Sequence, residues 1–463
     1  MATTYLRKTP GGSGNQRKFT FSFWVKKNSV NPAGTYTLFD CGTSTNYFHI
    51  YFPDTHTLTV KSRASNSTVM ELVTTRVFRD PNAWYNFVIA VDSEQGTAAD
   101  RCKIYVNGVQ ETSFSTASYG NQNQDHEIQD TGSYHYIGTN YAVNADEFFD
   151  GSMSYVAFVD GTQELPTIFG ETDTATGEWK IKTSVSPSSA WGSNGFLILK
   201  DGNSVTDQSG QSNNWTVQAG TLTKTEDNPS NNFCTYNQTF LTRHHNESTS
   251  IPGMLQNGNT TFNSTANAFY GFRAGSIGVL SGKYYWENKI IDKGRMYIGI
   301  CYPDILNRVD TPFYDSSIHM AITLDNSGSI QGINGDSSAS GVSFDDNDII
   351  GFALDMDNKG LYVHKNGTYV LSGNPASGAS LTGSVIEPLS GTKEQYLGNG
   401  EFVAPLAGDP SSSGTFLVNS NFGNGYFGST QISSAGTNAS GLGIFEFDVP
   451  AGFSALCTKG LNE

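Results

Sequence analysis

One pattern occurs twice in this chain of 463 residues and limits what it can fold into. Residues 84–110 read WYNFVIAVDSEQGTAADRCKIYVNGVQ, and residues 348–371 read DIIGFALDMDNKGLYVHKNGTYVL. Each is an apolar strand, an acidic turn, a second alternating strand and an Asn-Gly tip: Asn107-Gly108 and Asn366-Gly367. Asn-Gly favours the type I′ turn, whose two central residues both need φ > 0. Two such hairpins about 260 positions apart predict two separate β-sandwiches rather than one enzyme core. The question becomes what the chain holds, not what it converts.

Composition narrows this further. Glycine (50), phenylalanine (29) and tyrosine (22) are abundant, and only 15% of residues are charged. The net charge of −16 argues against a nucleic-acid partner. Five scattered cysteines form no CxxC pair, which points to small buried hydrophobes made in a reducing compartment. The opening MATTYLRKTPGG lacks the apolar core of a signal peptide, and no stretch approaches a membrane span. Positions 1–39 hold Arg7, Lys8, Arg17, Lys18, Lys26 and Lys27 and no acidic residue. Two readings stand: an arm, led by Arg7, Lys8, Arg17 and Lys18, that docks on an acidic partner, or a solvated tail.

Residues 1–162 form the first predicted domain. KFTFSFWVKK (18–27) alternates, with Phe19, Phe21, Phe23 and Val25 on one face and Thr20, Ser22, Trp24 and Lys26 on the other, as in a half-buried strand. Many short strands and no helical period predict a sandwich or jelly roll. The order F-x-F-x-W-V, W-Y-x-F-V-x-A-V-D, Y-V-N-G and FFDGSMSYVAFVDG resembles the laminin-G-like, concanavalin-type jelly roll. That resemblance includes lectins and glucanases. The glucanases' paired carboxylates, spaced E-x-D-x-x-E, are missing, and Asp146, Glu147 and Asp150 have the wrong spacing. Asp40 and Asp150 are read as turn carboxylates rather than calcium ligands.

Residues 163–245 are rich in Gly, Asn, Ser and Asp and read as a connector β region. DQSGQSNNW (207–215) is expected to be a turn held by Asp207, Ser209 and Asn213 rather than a metal loop. FGETDTATGEW, D-x-S-G-x-x-N-N-W and D-N-P-S-N-N-F-C-T-x-N together resemble a cassette of tailed-bacteriophage structural proteins, marine and cyanobacterial ones above all. Those relatives place it between a laminin-G-like and a SPRY-like domain.

Residues 246–463 form the third region. GKYYWE, MYIGIC, the second hairpin and LVNSNFG follow the order of the SPRY sandwich, which that resemblance implies binds partners through loops, here 302–316 and 397–414. Tyr302, Phe313, Tyr314 and Phe402 are candidate glycan or partner contacts, with core or subunit-interface packing as the alternative. His244-His245 sit on opposite faces of an extended chain and make a poor metal site. Asp355 and Asp357 are expected to cap their turn. No GxSxG elbow, HExxH helix or phosphate loop occurs.

The fold class expected is therefore all-β, a multidomain β-sandwich. The expected function is a virion structural protein, a tail fibre, spike or appendage, contacting host surface polysaccharide or other virion proteins. It would have no catalytic residue, cofactor or metal, and it would assemble as a homotrimer through sandwich faces or the connector, since without heptads no coiled-coil stalk can do so. A capsid decoration or head-fibre protein and a polysaccharide depolymerase remain as alternatives.

Overall fold

The computed structural model describes residues 3–29, 34–140, 147–239, 254–264, 271–294, 296–303, 321–325, 327–331, 337–339, 343–386, 397, 400–409 and 415–462. The described residues form strands, turns and short 3-10 segments, the all-β multidomain sandwich architecture expected. The chain divides into two compact units, Met1–Lys224 and Thr225–Glu463. The connector region is therefore shared between the two units.

The strands of the first unit are β1 (Tyr5–Lys8), β2 (Lys18–Lys27), β3 (Tyr36–Gly42), β4 (Tyr47–Phe52), β5 (Thr57–Ala64) and β6 (Ser67–Val77). They continue with β7 (Tyr85–Asp92), β8 (Cys102–Val106), β9 (Val109–Gln110), β10 (Phe114–Ser118), β11 (His135–Ile137) and β12 (Gly151–Asp160). Four more follow: β13 (Gly170–Thr172), β14 (Trp179–Ile181), β15 (Phe196–Ile198) and β16 (Thr216–Ala219). One sheet runs β10-β6-β5-β4-β3-β11-β1-β16 and the other β15-β12-β2-β7-β8-β9. Phe19, Phe21, Phe23 and Val25 point between them into an aromatic core, where Phe21 meets Phe39 at 4.4 Å and Phe158 at 4.6 Å.

The other face of β2 is buried too, which corrects the half-buried expectation. Thr20 and Ser22 have no exposed surface. The reason lies in residues 162–199, which lie over this face. Glu164 N donates to Thr20 Oγ1 (2.8 Å), and Trp179 Nε1 donates to Asn86 Oδ1 (3.1 Å). Phe169 and Leu197 pack on Val88, Ala90, Ala157 and Val159. Thr20, Ser22 and Asn86 can be buried here because each has a hydrogen-bond partner.

Both Asn-Gly tips have the backbone the sequence predicts. Asn107 and Gly108 lie at φ 48° and 78°, and Asn366 and Gly367 at 48° and 83°. Each Asn side chain accepts from the far strand, from Asn86 N and from Ile349 N, both at 2.8 Å. Each glycine lies under a later aromatic. A Cβ on Gly108 would meet the Trp179 ring at 2.4 Å, and one on Gly367 the Phe447 ring at 2.8 Å.

In the second unit, Lys283–Asp292 is the central strand, between Ile349–Asp355 and Leu417–Asn421. Tyr284, Trp286 and Ile290 face Met296, Ile298, Ile300 and Tyr302 across the core, and Trp286 stacks on Phe352 at 5.3 Å. Tyr285, Glu287 and His364 face the other way, under the C-terminal segment that carries Phe445 and Phe447. Asp355 Oδ1 accepts from Asp357 N and Asn358 N, the turn cap expected.

Candidate functional site

The predicted site residues scatter. Tyr302 is 2% exposed and belongs to the second core, so it presents no ring to a ligand. It follows Cys301 at the end of a strand whose alternation turns it inward. Phe402 is 57% exposed. Phe313, Tyr314 and the His244-His245 pair lie outside the described residues.

The basic run is not one arm. Arg7 and Lys8 sit in β1, hydrogen-bonded between β11 and β16, so the sandwich begins at residue 5. Lys8 Nζ donates to Asn213 Oδ1, and burial lowers its pKa to about 8. Arg17 pairs with Asp125 (2.6 Å) and Lys18 with Glu94 (2.7 Å). Lys26 and Lys27 are each 2% exposed. Both faces of β2 are covered, so Lys26 and Lys27 are both buried, while Arg17 and Lys18 at its start stay at the surface; a charge count along the chain cannot see this division.

The acidic candidates have structural partners. Asp150 is half-buried and accepts from Asn28 Nδ2 (3.2 Å), and desolvation raises its pKa. Glu147 accepts from Asn140 Nδ2 (2.9 Å). Asp146 lies outside the described residues. Asp207 takes Leu197 N, Ser209 N and Asn213 N, the turn expected of that loop. Among the described residues no group of three or more His, Cys, Asp or Glu is placed to hold a metal ion, and no helix is long and apolar enough to cross a membrane. All five cysteines are buried thiols.

The groups with binding chemistry gather instead on the outward face of the eight-stranded sheet. Strand register brings them into one row. Arg7 is opposite Tyr136, Tyr136 opposite Asp40, and Asp40 opposite His49. His49 is opposite Lys61, and Lys61 opposite Glu71. Neighbouring strands lie about 4.8 Å apart, so these six span roughly 24 Å. The inward partners, Leu6, Ile137, Phe39, Ile50, Val60 and Leu72, form the parallel row in the core.

The centre of the row is closed and its ends are open. Asp40, His49 and Tyr136 are buried, while Arg7, Lys61 and Glu71 are partly exposed. His49 Nε2 lies 2.9 Å from Thr37 Oγ1, and its ring stacks on Tyr51 at 4.2 Å. Burial, then Lys61, lowers the His49 pKa to about 3, so the ring is neutral. Burial and Glu71 raise Tyr51 to about 12, so its hydroxyl keeps its proton. Lys61 and Glu71 pair at 2.9 Å. At the other end Tyr5 and Tyr134 each lie about 6 Å from Tyr136, and Phe148 lies 6.1 Å from Tyr5. Arg7 lies over the Tyr134 ring at 4.2 Å.

This face has apolar ring surface, neutral hydroxyls, one free guanidinium edge and carboxylates, with no activated nucleophile among them. Sequence reasoning missed it. One signal was present: in YFHIYF (47–52) Tyr47, His49 and Tyr51 alternate with the core residues Phe48, Ile50 and Phe52. The row itself needs the pairing of six strands spread from residue 5 to residue 137, which local pattern does not give.

Residues 2–169 match the family model described as the Concanavalin A-like lectin/glucanases superfamily, of laminin-G type. No curated protein sequence matches the chain. Among solved structures it is similar to the SPRY domain of human HERC1, at 17% identity over 40% of this chain and 96% of that one, with a TM-score of 0.28. It is also similar to the native heptameric SAP-like pentraxin of Limulus polyphemus, at 18% identity over 34% of this chain and 69% of that one, TM-score 0.24. A third is the CBM40 of the Ruminococcus gnavus IT-sialidase, at 17% identity over 32% of this chain and 86% of that one, TM-score 0.24. Over residues 2–169, then, the chain carries a lectin-like, concanavalin-type jelly roll, and the whole row from Arg7 to Glu71 lies on it.

Proposed function

We propose that this chain is a non-enzymatic virion protein of a tailed bacteriophage, a fibre, spike or appendage that holds host surface glycans on the outward face of its first sandwich. The observation that carries the reading is the row Arg7–Tyr136–Asp40–His49–Lys61–Glu71, whose open ends, Arg7 with Tyr134 and Lys61 with Tyr51, carry the groups a ligand can reach. A sugar ring offers an apolar C–H face and a rim of hydroxyls. It needs aromatic faces and a few placed polar groups, the mixture a small-molecule site uses. The lectin/glucanase family match over residues 2–169 supports carbohydrate as the ligand class. The cassette at 169–237 supports a phage particle as its place, displayed outside the cell after synthesis in the host cytoplasm. The second unit then faces other virion proteins, and a homotrimer multiplies weak sites.

The test has two arms. Purified full-length chain is passed over immobilised polysaccharide from a panel of host surfaces, beside the variant with Tyr51→Ala and Lys61→Ala. Retention that the double substitution reduces at least tenfold, with no release of reducing ends, is the expected result. Release of reducing ends would favour the depolymerase reading. Antibody labelling of intact particles then places the chain. Label on the capsid, together with no retention on any polysaccharide, would favour the decoration reading.

A further inference from the structure

Resting on the carbohydrate reading above, we infer that the Arg7–Tyr134 end of the outward row is a subsite for the carboxylate of an acidic sugar, so that the ligand class is a uronic-acid-containing polysaccharide. Three observations carry this. Among the described residues Arg7 is the cation of the row that has no anionic partner. Lys61 is paired with Glu71, and Arg63 bonds Asn66 O and Oδ1 at 2.6 and 2.8 Å. Among the described residues Arg7 makes neither ion pair nor side-chain hydrogen bond. Its guanidinium lies instead over the Tyr134 ring.

The guanidinium is also held in place. β1 is paired on both sides, with Arg7 opposite Tyr136 on one strand and Thr216 on the other, so its Cα is fixed in the sheet. Stacking on Tyr134 then fixes the plane of the fork and leaves its N–H edges free. A planar fork with free edges takes a carboxylate through two parallel bonds, a geometry a lysine cannot give.

The surroundings fit a sugar rather than a bare ion. Tyr134 is 49% exposed, and Thr216, opposite Arg7 on the adjoining strand and so on the same face, is exposed as well. The Tyr134 ring gives an apolar surface beside the fork, where the C–H face of a pyranose can lie while its carboxylate meets Arg7. The nearest carboxylate of the row, Asp40, is two strands away, about 10 Å, and 0% exposed. At physiological salt the Debye length is about 8 Å, so the net charge of −16 elsewhere does not cancel this local site.

The test uses full-length protein with polygalacturonate and with the same polymer fully methyl-esterified, which differ at the carboxyl group alone. The expected result is tighter binding of the acid form by about tenfold or more, a preference lost in Arg7→Ala and Arg7→Lys and weakened in Tyr134→Ala. Arg7→Lys keeps the charge and the strand and loses the fork, so it separates geometry from a folding defect. Far-UV circular dichroism of each variant must match the parent. Dextran sulfate bound as tightly as polygalacturonate, against dextran, overturns the carboxylate assignment in favour of general anion attraction. Equal binding of acid and ester forms overturns the inference while leaving the carbohydrate reading intact. Failure to retain either form or any neutral polysaccharide overturns both.

Discussion

The two sandwiches close the outer face of their central strand in the same way but with different chemistry. In the first unit residues 162–199 cover Thr20, Ser22 and Asn86, all neutral, and Trp179 seals the hairpin tip. In the second, the C-terminal segment covers Tyr285, Glu287 and His364, and Phe447 seals the tip. There Gly367 N donates to His364 Nδ1 (3.1 Å), which puts the ring proton on Nε2. Nε2 lies 2.6 Å from Tyr285 Oη, and Tyr285 donates to Glu287 Oε1 (2.9 Å). Glu446 N and Phe447 N complete the carboxylate's partners. One cover is blind to pH and the other is coupled to it. In the first unit the titratable burden lies elsewhere, in histidines of the eight-stranded sheet and its flank. A shared architecture therefore does not imply a shared response to acid.

Acid should have the largest effect and should separate the two units. Burial holds His49 near 3 and His126 and His135 near 4, against an ordinary 6.5. Each is neutral when folded, so below 6.5 the unfolded chain binds more protons. The stabilisation is whole above 6.5 and drains as pH falls toward 4. Each proton tilts stability by about 1.4 kcal/mol per pH unit, so the three together give roughly 4. Hydrogen exchange on the intact chain between pH 7 and 5 should show residues 36–64 losing protection well before residues 283–292. Simultaneous loss would break the comparison.

The second unit should be flat over the same range, because two groups oppose each other. Burial holds His364 near 4, so its contribution is lost as pH falls below 6.5. Desolvation raises Glu287 to about 7 from 4.5, so the folded form keeps its proton longer, and that contribution is lost as pH rises from 4.5 toward 7. Between 4.5 and 6.5 the slopes cancel. Glu287→Gln should uncover the histidine and make this unit acid-labile by about 3 kcal/mol across that window. His364→Gln should tilt it the other way. Urea melts of both variants at pH 4.5, 5.5 and 6.5 check the sign, and two parallel profiles would sink the coupled network.

Sealing the hairpin tips should matter less. Trp179→Ala and Phe447→Ala each remove a partly buried ring, worth about 2 kcal/mol. Trp179→Ala also deprives Asn86 Oδ1 of its donor, so it should cost about 1 kcal/mol more. Equal losses in denaturant melts would mean that the indole hydrogen bond contributes nothing.

Much of the fold was legible in local pattern. The Asn-Gly tips, the alternation of Phe19, Phe21 and Phe23, and the inward faces around Trp286 follow from period and turn chemistry alone. The second face of β2 was not legible. Period-two reading shows which residues face a core, and Thr20 and Ser22 are polar. That they are buried depends on residues 162–199, more than a hundred positions away. The outward row was hidden for the same reason, since Arg7 and Glu71 share a face only after six strands pair in register. The sandwich also begins earlier than a continuous apolar run suggests, because YLRK shows one buried residue in four.

The smallest expected effect concerns the basic run, which the sequence presents as one feature and the fold divides. Arg17 and Lys18 sit at the surface with carboxylate partners, and the hydrogen bonds they donate to Asp125 and Glu94 raise their pKa values. Exposed pairs of this kind lose in side-chain freedom and salt screening most of what they gain in attraction. Arg17→Ala and Lys18→Ala should leave the urea midpoint of the first unit unchanged at 150 mM salt. Lys27 is a different case: buried, bonded to Phe78 O (3.0 Å) and lowered to about 8 by desolvation. Lys27→Ala removes that bond and the buried stem together, and should shift the midpoint clearly downward. If Arg17→Ala shifted it as far as Lys27→Ala, the division of the run into surface and interior charges would be wrong.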